Sequence, residues 1–276
     1  IDPTEGLEQI QSKSGSELLE ALRTPIILPT ASASDGDGGV ASFDSSFVDE
    51  DGSTQGIGSF VSSIFGRVGQ FLNMTTWYLM KDRSGNVGKN GVADAVRDFK
   101  KNLPAVKVHL VGHSLGGRLM AACAKQLSVN PLVQADSLTL LQAAFSHFGL
   151  SSDRSGRAGF FQDVMAKKVV RGPMVATFSN KDKVVGLAYA LASRLAGDTT
   201  KAVGDANDPF GGIGRNGAQN ANGVSQTDLL HAAGSAYSFP LGVVNCLDGS
   251  NNLINSHGDV TSPAVTYAFA SAVAQT

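Results

Sequence analysis

Apolar and polar positions along the chain change period several times, and the changes divide it into elements. Residues 5–22 carry apolar side chains at Leu7, Ile10, Leu18, Leu19 and Leu22, which predicts helix. Pro25 to Pro29 is a short apolar run suited to a strand. It opens into a Ser/Asp/Gly-rich stretch at 30–57, expected as a surface loop, an active-site lid or a partly disordered segment. Phe60 to Phe71 returns to an amphipathic helical spacing.

From residue 75 the pattern becomes regular. Thr75 to Met80 is rich in strand-forming residues and is followed by a glycine-containing turn at Ser84 to Gly88. Gly91 to Lys101 has Val92, Ala95, Val96 and Phe99 at helical spacing, and Val106 to Val111 is β-branched and strand-like. Helix is expected at Leu115 to Leu127, strand at Ser137 to Leu141 and at Met174 to Phe178, and helix at Val184 to Leu195. The last strand is expected at Gly242 to Cys246 and the last helix at Pro263 to Ala274.

Strands alternating with helices of about ten residues imply βαβ units, hence a mainly parallel sheet with helices on both faces. The expectation is one α/β domain spanning 1–276, with irregular loops at 30–57 and 204–225. The second loop, dense in Gly and Asn, has too few apolar residues for a core of its own and is read as an insertion over the carboxyl edge of the sheet.

Composition narrows the function classes. The chain of 276 residues is 42% hydrophobic and 17% charged with a formal net charge of -2, so it offers no electrostatic footprint for a nucleic acid or an anionic membrane. No apolar stretch reaches the roughly 18–20 residues of a bilayer span. Cys123 and Cys246 are too far apart in sequence to suggest a disulfide framework or a metal motif, and read as small buried side chains. The start, Ile1-Asp2-Pro3-Thr4, shows neither an initiator Met nor a basic-then-apolar leader. A soluble protein is the expectation and the start assigns no compartment: cytoplasm is favoured, with a removed signal peptide as its alternative.

Chemistry is concentrated at Gly112-His113-Ser114-Leu115-Gly116-Gly117, directly after one expected strand and directly before a helix. That context suits a nucleophile elbow, a strained turn that lifts the Ser114 hydroxyl above the sheet edge. Side chains at 112 or 116 are expected to collide with neighbouring backbone. The helix amino terminus, and the Leu115 N–H in particular, would face an oxyanion forming beside Ser114. A serine hydroxyl needs a base near neutral pH. His109 lies within a strand, His113 within the elbow, and His147 too early to follow a late acid. His231, after Asp228-Leu229-Leu230 in an expected helix, reads as a surface or lid histidine. His257, in the polar loop Asn255 to Val260, is the preferred base.

Asp182 follows a strand and precedes a helix, at the edge where catalytic groups gather in open α/β sheets. The same position suits a helix N-cap. Asp136 precedes a strand, at the wrong edge, and Asp259 reads as a cap for the last helix.

The elbow, the late acid and the last-loop histidine resemble the α/β-hydrolase family, especially its esterase and lipase-like members, over roughly residues 75–275. The run Tyr78 to Gly88 with this elbow is also similar to uncharacterised bacterial hydrolases. The resemblance implies Ser114 as nucleophile, Asp182 as acid, His257 as base and Leu115 as an oxyanion donor, acting on a small-molecule carboxylic ester without metal or cofactor. One departure stands out. The family takes its second oxyanion donor from a loop after an early strand, and only Pro25 to Pro29 and its following loop offer one here, unless the first strands lie upstream of the chain. An acyltransferase would use the same residues, and a binding or scaffold module that has lost catalysis is the rival expectation. Gly212-Ile213-Gly214-Arg215-Asn216-Gly217 matches a dinucleotide fingerprint by letters but follows no convincing strand. Asp35, Asp37, Asp49, Glu50 and Asp51 fit no calcium loop and read as solvated charge.

Overall fold

The computed structural model of the chain describes residues 7–22, 74–152, 158–197, 209–221 and 226–276. Within these, five strands form one sheet: β1 (His109–His113), β2 (Ser137–Leu141), β3 (Met174–Phe178), β4 (Gln226–Leu229) and β5 (Val244–Asp248). Their order is β1-β2-β3-β5-β4 and every neighbouring pair is parallel, so all carboxyl ends lie along one edge. The α/β expectation holds at this level. The segments 25–29, 30–57 and 60–71 lie outside the described residues.

Side chains alternate across the sheet, and the two alternating sets meet different helices. Leu138, Leu140, Met174, Ala176, Val244 and Cys246 share a buried cluster with Ala121, Ala124 and Leu127 of α5 (Leu115–Leu127). Val175 and Leu247 instead join Ala264, Val265, Ala268 and Ala272 of α9 (Pro263–Ala274). A third cluster packs α1 (Leu7–Gln11) and α2 (Gly15–Ala21) against α7 (Lys183–Ala196). The first helical stretch is thus two helices. Ser14 caps the second with a reciprocal bond to Glu17, which restarts the helix after the break.

Four further elements differ from expectation. Residues 74–87 are helical (α3), not a strand and turn. Met74, Trp77 and Lys81 are buried while Leu79 and Met80 are exposed, an i, i+3, i+7 stripe that overrides the strand propensity of Thr, Trp and Tyr. The helix continues through a π turn, Gly88–Val92, into α4 (Ala93–Asn102). Gly88 is required there, because a Cβ would lie 2.1 Å from the Leu119 carbonyl oxygen of α5. Residues 226–229 form edge strand β4, not helix. Among the described residues they pair with β5, a contact that leaves no local pattern. The strands expected at 106–111 and 242–246 instead occupy His109–His113 and Val244–Asp248.

At the amino edge, the buried Asp136 carboxylate accepts bonds from Lys100 Nζ at 2.7 Å, Arg171 Nε at 2.6 Å and the Val108 N–H at 2.7 Å. It ties the starts of three strands together and is far from the carboxyl edge, as expected. Two short helices complete the described set, α6 (Gln162–Ala166) and α8 (Ile213–Asn216).

Candidate active site

Ser114 sits between β1 and α5 at φ 55, ψ -124, a conformation that a residue with a Cβ rarely adopts. Local bonds hold it there. The Ser114 N–H donates to Leu141 O at 3.1 Å, and Ser114 O accepts from Ala144 N at 2.9 Å and Gly117 N at 3.0 Å. The turn is also tight enough to demand glycine. A Cβ on Gly112 would lie 2.2 Å from Gly116 O, and one on Gly117 would lie 2.6 Å from Ala143 Cβ. Gly116 corrects the expectation, because a Cβ there meets nothing within 4 Å. Glycine is sterically required at 112 and 117, not at 116, which faces open space in front of the turn. Leu115 occupies the first helical position, where the N–H has no intrahelical acceptor and points out of the helix start.

Asp182 and His257 meet, with His257 Nδ1 at 2.8 Å from Asp182 Oδ2. A carboxylate only accepts, so Nδ1 carries the hydrogen and Nε2 is left as the basic nitrogen of the neutral ring. Asp182 is fully buried and the His257 side chain is 10% exposed. The cap role and the orienting role coexist because they use different oxygens. Asp182 Oδ1 accepts from Val185 N at 2.9 Å, capping α7, while Oδ2 holds the imidazole.

The loop bearing His257 is braced on several sides. Asp259 Oδ2 accepts from Asn255 N at 2.7 Å and Ser256 N at 3.1 Å. It therefore closes its own loop, and the cap of α9 is Ser262 instead. Ser179 Oγ donates to Ile254 O at 2.8 Å, and Lys181 Nζ donates to Asn255 Oδ1 at 2.9 Å, tying this loop to the one after β3. His113 Nε2 lies 2.9 Å from His257 O, with the two rings 4.6 Å apart. Gln142 Nε2 donates to the same carbonyl at 2.9 Å and to Ser256 O at 3.0 Å. Burial pushes the His113 pKa down, and the nearby His257 adds to this, so the ring stays neutral near pH 7.

Arg215, another residue without an expected role, is buried and donates to Asn180 O and to Asp182 O, supporting the turn that carries Asp182. The letters resembling a dinucleotide fingerprint have a packing explanation. A Cβ on Gly214 would lie 2.7 Å from Gln142 O and 3.1 Å from Asp182 Oδ2, and one on Gly212 would strike Val185 at 2.3 Å.

Ser114, Asp182 and His257 thus follow the carboxyl ends of β1, β3 and β5 along one edge. Asp182 and His257 are brought into contact. Among the described residues, the Ser114 hydroxyl makes no hydrogen bond to the His257 ring; bonds of this kind commonly tighten only when substrate is seated. Of the remaining histidines, His109 pairs with Ser137 Oγ across β1 and β2, His147 is buried beside Asn216, and the His231 ring lies 5.5 Å from that of Tyr237, tilted by 39°. Both cysteines are free and buried. The segment expected to supply a second oxyanion donor, 25–29 with its loop, and the acidic residues at 35–51 lie outside the described residues. Among the described residues no group of three or more His, Cys, Asp or Glu could hold a metal ion, and no helix is long and apolar enough to cross a membrane.

Comparison with protein-family models, curated proteins and solved structures finds no match to this chain.

Proposed function

We propose that this chain is a serine hydrolase of the α/β-hydrolase type, cleaving a carboxylic ester through an acyl-enzyme. The observation that carries the reading is the Asp182–His257 pair. Two residues 75 positions apart meet at 2.8 Å, on the sheet edge that also carries a serine held at φ 55. Strain of this kind costs about 1–3 kcal/mol and persists where the surrounding structure enforces it, often at functional sites.

In this mechanism His257 Nε2 takes the Ser114 proton as Oγ attacks the acyl carbon. The Leu115 N–H, at the positive end of α5, donates to the developing oxyanion. The ester C–O bond then breaks, and His257 returns the proton to the leaving alcohol. Water, deprotonated by His257, then attacks the acyl carbon, the bond to Ser114 Oγ breaks, and His257 returns the proton to Oγ as the acid leaves. Asp182 holds Nδ1–H throughout and stabilises the imidazolium. An alcohol in place of water would make the same residues an acyltransferase.

The missing hydroxyl-to-imidazole bond favours a second reading, a binding module that retains the elbow without turnover. A fluorophosphonate probe separates the two. Labelling that stops in Ser114→Ala, together with hydrolysis of p-nitrophenyl esters of graded chain length, supports the hydrolase. A folded wild-type protein that takes no label and turns over no ester refutes it.

A further inference from the structure

Two donors converge on one carbonyl. His257 O accepts from both His113 Nε2 and Gln142 Nε2, each at 2.9 Å, which fills both of its lone pairs. Because a carbonyl only accepts, the His113 hydrogen sits on Nε2. Because Gln142 Nε2 serves two carbonyls, its amide orientation is fixed and its Oε1 is turned away. That oxygen is buried and without a partner among the described residues. Gln142 is fully buried and adopts φ 39, so it combines an unpaired acceptor with an unfavourable backbone. Neither feature is expected of a residue that only fills space.

Resting on the hydrolase reading of this site, we propose that Gln142 and His113 are positioning residues that fix the backbone of the base relative to the nucleophile. The Asp182 bond holds the imidazole at one point, Nδ1. A second point on the same residue, its carbonyl, is needed to set where Nε2 is aimed. Both donors come from the strand ends that hold Ser114. His113 directly precedes it, and Leu141, directly before Gln142, accepts the Ser114 N–H. Nucleophile and base are therefore referenced to the same two strand ends, and a movement of one is shared by the other. The neutral state of His113, favoured by its burial, keeps a second positive charge away from the imidazolium that forms at His257.

The test compares Gln142→Met, His113→Phe, His113→Gln and the double variant Gln142→Met/His113→Phe with wild type. Two readouts are followed: the rate of Ser114 labelling by a fluorophosphonate, and the low-field proton resonance of the His257–Asp182 bond. Each single loss of a donor is expected to slow labelling about tenfold, and the double variant on the order of 10²-fold, the scale of a 1 Å misplacement. Gln142→Met should keep a melting temperature close to wild type, since it removes the unpaired oxygen together with the two bonds. His113→Gln, which restores a donor near Nε2, should recover most of the rate lost in His113→Phe, and kcat should fall more than KM rises. Rates within twofold of wild type, or losses that only follow the folded fraction, overturn the proposal. If the double variant does not fold, His113→Phe against His113→Gln decides. If wild type takes no label, the hydrolase reading fails, and the resonance decides the clamp alone. Its broadening in folded variants supports the clamp, and an unchanged signal overturns it.

Discussion

On the proposed hydrolase mechanism Asp182→Asn should separate catalysis from folding, because the two oxygens of Asp182 make different bonds. Oδ1 caps α7 by accepting the Val185 N–H, and Oδ2 accepts the His257 Nδ1–H. Asparagine keeps the cap, being about as good as aspartate in that position. It loses the favourable charge at the helix start, worth about 0.3–1 kcal/mol. The asparagine NH₂ then faces His257 Nδ1, and the pair can bond only if Nδ1 becomes the acceptor. The ring hydrogen moves to Nε2, so the nitrogen that should take the Ser114 proton already carries one. In the Ser-His-Asp triad of proteases the same exchange lowers kcat by about 10⁴, or about 5.5 kcal/mol at roughly 1.36 kcal/mol per decade.

The expected result is therefore a large gap between two measurements. Thermal unfolding should shift by only a few degrees, corresponding to about 1 kcal/mol, while kcat for a short p-nitrophenyl ester falls by about three to four orders of magnitude. Asp182→Ala removes both roles and should add a capping loss of about 0.5–2 kcal/mol. A kcat for Asp182→Asn within tenfold of wild type would refute the assignment of Asp182 as orienting acid, as would a loss of activity no greater than the loss of folded protein.

Other positions give independent checks. Gly112→Ala should destabilise by about 3 kcal/mol or more, because its Cβ would overlap the Gly116 carbonyl, whereas Gly116→Ala should be neutral or gain up to about 1 kcal/mol; urea denaturation of the two variants reverses the argument if their order is the opposite. Burial alone would raise the Asp136 pKa, but bonds from Lys100, the Val108 N–H and Arg171 outweigh it and hold the carboxyl below its ordinary range. Its stabilisation is thus complete above the unfolded value of about 3.9 and is lost as pH falls through the lower folded value. Asp136→Asn should cost about 3 kcal/mol, with half-exposed Arg171 contributing little, and should flatten the melting profile below pH 4; an unchanged profile counts against it. The thiols of Cys123 and Cys246 are pushed up to about 12 by burial, so iodoacetamide should modify them only at the rate of unfolding. Rapid alkylation of native protein would contradict that burial.

The elements that were legible in the sequence carry their signals within their own length. α9 begins at Ser262-Pro263, a cap followed by a residue preorganised for the first turn, and α7 runs from the Asp182 cap to Gly197 at φ 93. β2 and β3 are buried along almost their whole length, with small hydroxyl residues Ser137, Thr139 and Thr177 among the apolar ones, as suits strands covered on both faces. Residues 74–87 carried two conflicting signals. Strand-forming residue types stood against a buried stripe at Met74, Trp77 and Lys81, and tertiary burial decided for helix. The stripe was hard to see because its third member is a lysine, whose Nζ reaches Tyr189 Oη at 2.7 Å. β4 has no readable pattern, since all four of its residues are exposed and among the described residues it is paired with β5 alone.

A similar division runs through the candidate site. The elbow is contiguous, so its strand, glycines and helix can be read together. Asp182 and His257 are legible through topology, because a parallel sheet brings every carboxyl end to one edge even when the chain distance is long. Gln142 is different. Its partners lie 114 and 115 residues away, and both are backbone carbonyls, which have no residue identity to recognise. His113 reads in the sequence only as part of the elbow, yet its partner is the His257 backbone. Sequence reasoning of this kind finds groups that perform chemistry, since those need particular side chains at both ends of a contact. It misses groups that hold the chemistry in place, because one donor side chain and any carbonyl suffice. The orphaned Oε1 and positive φ of Gln142 became informative only once the fold had buried them.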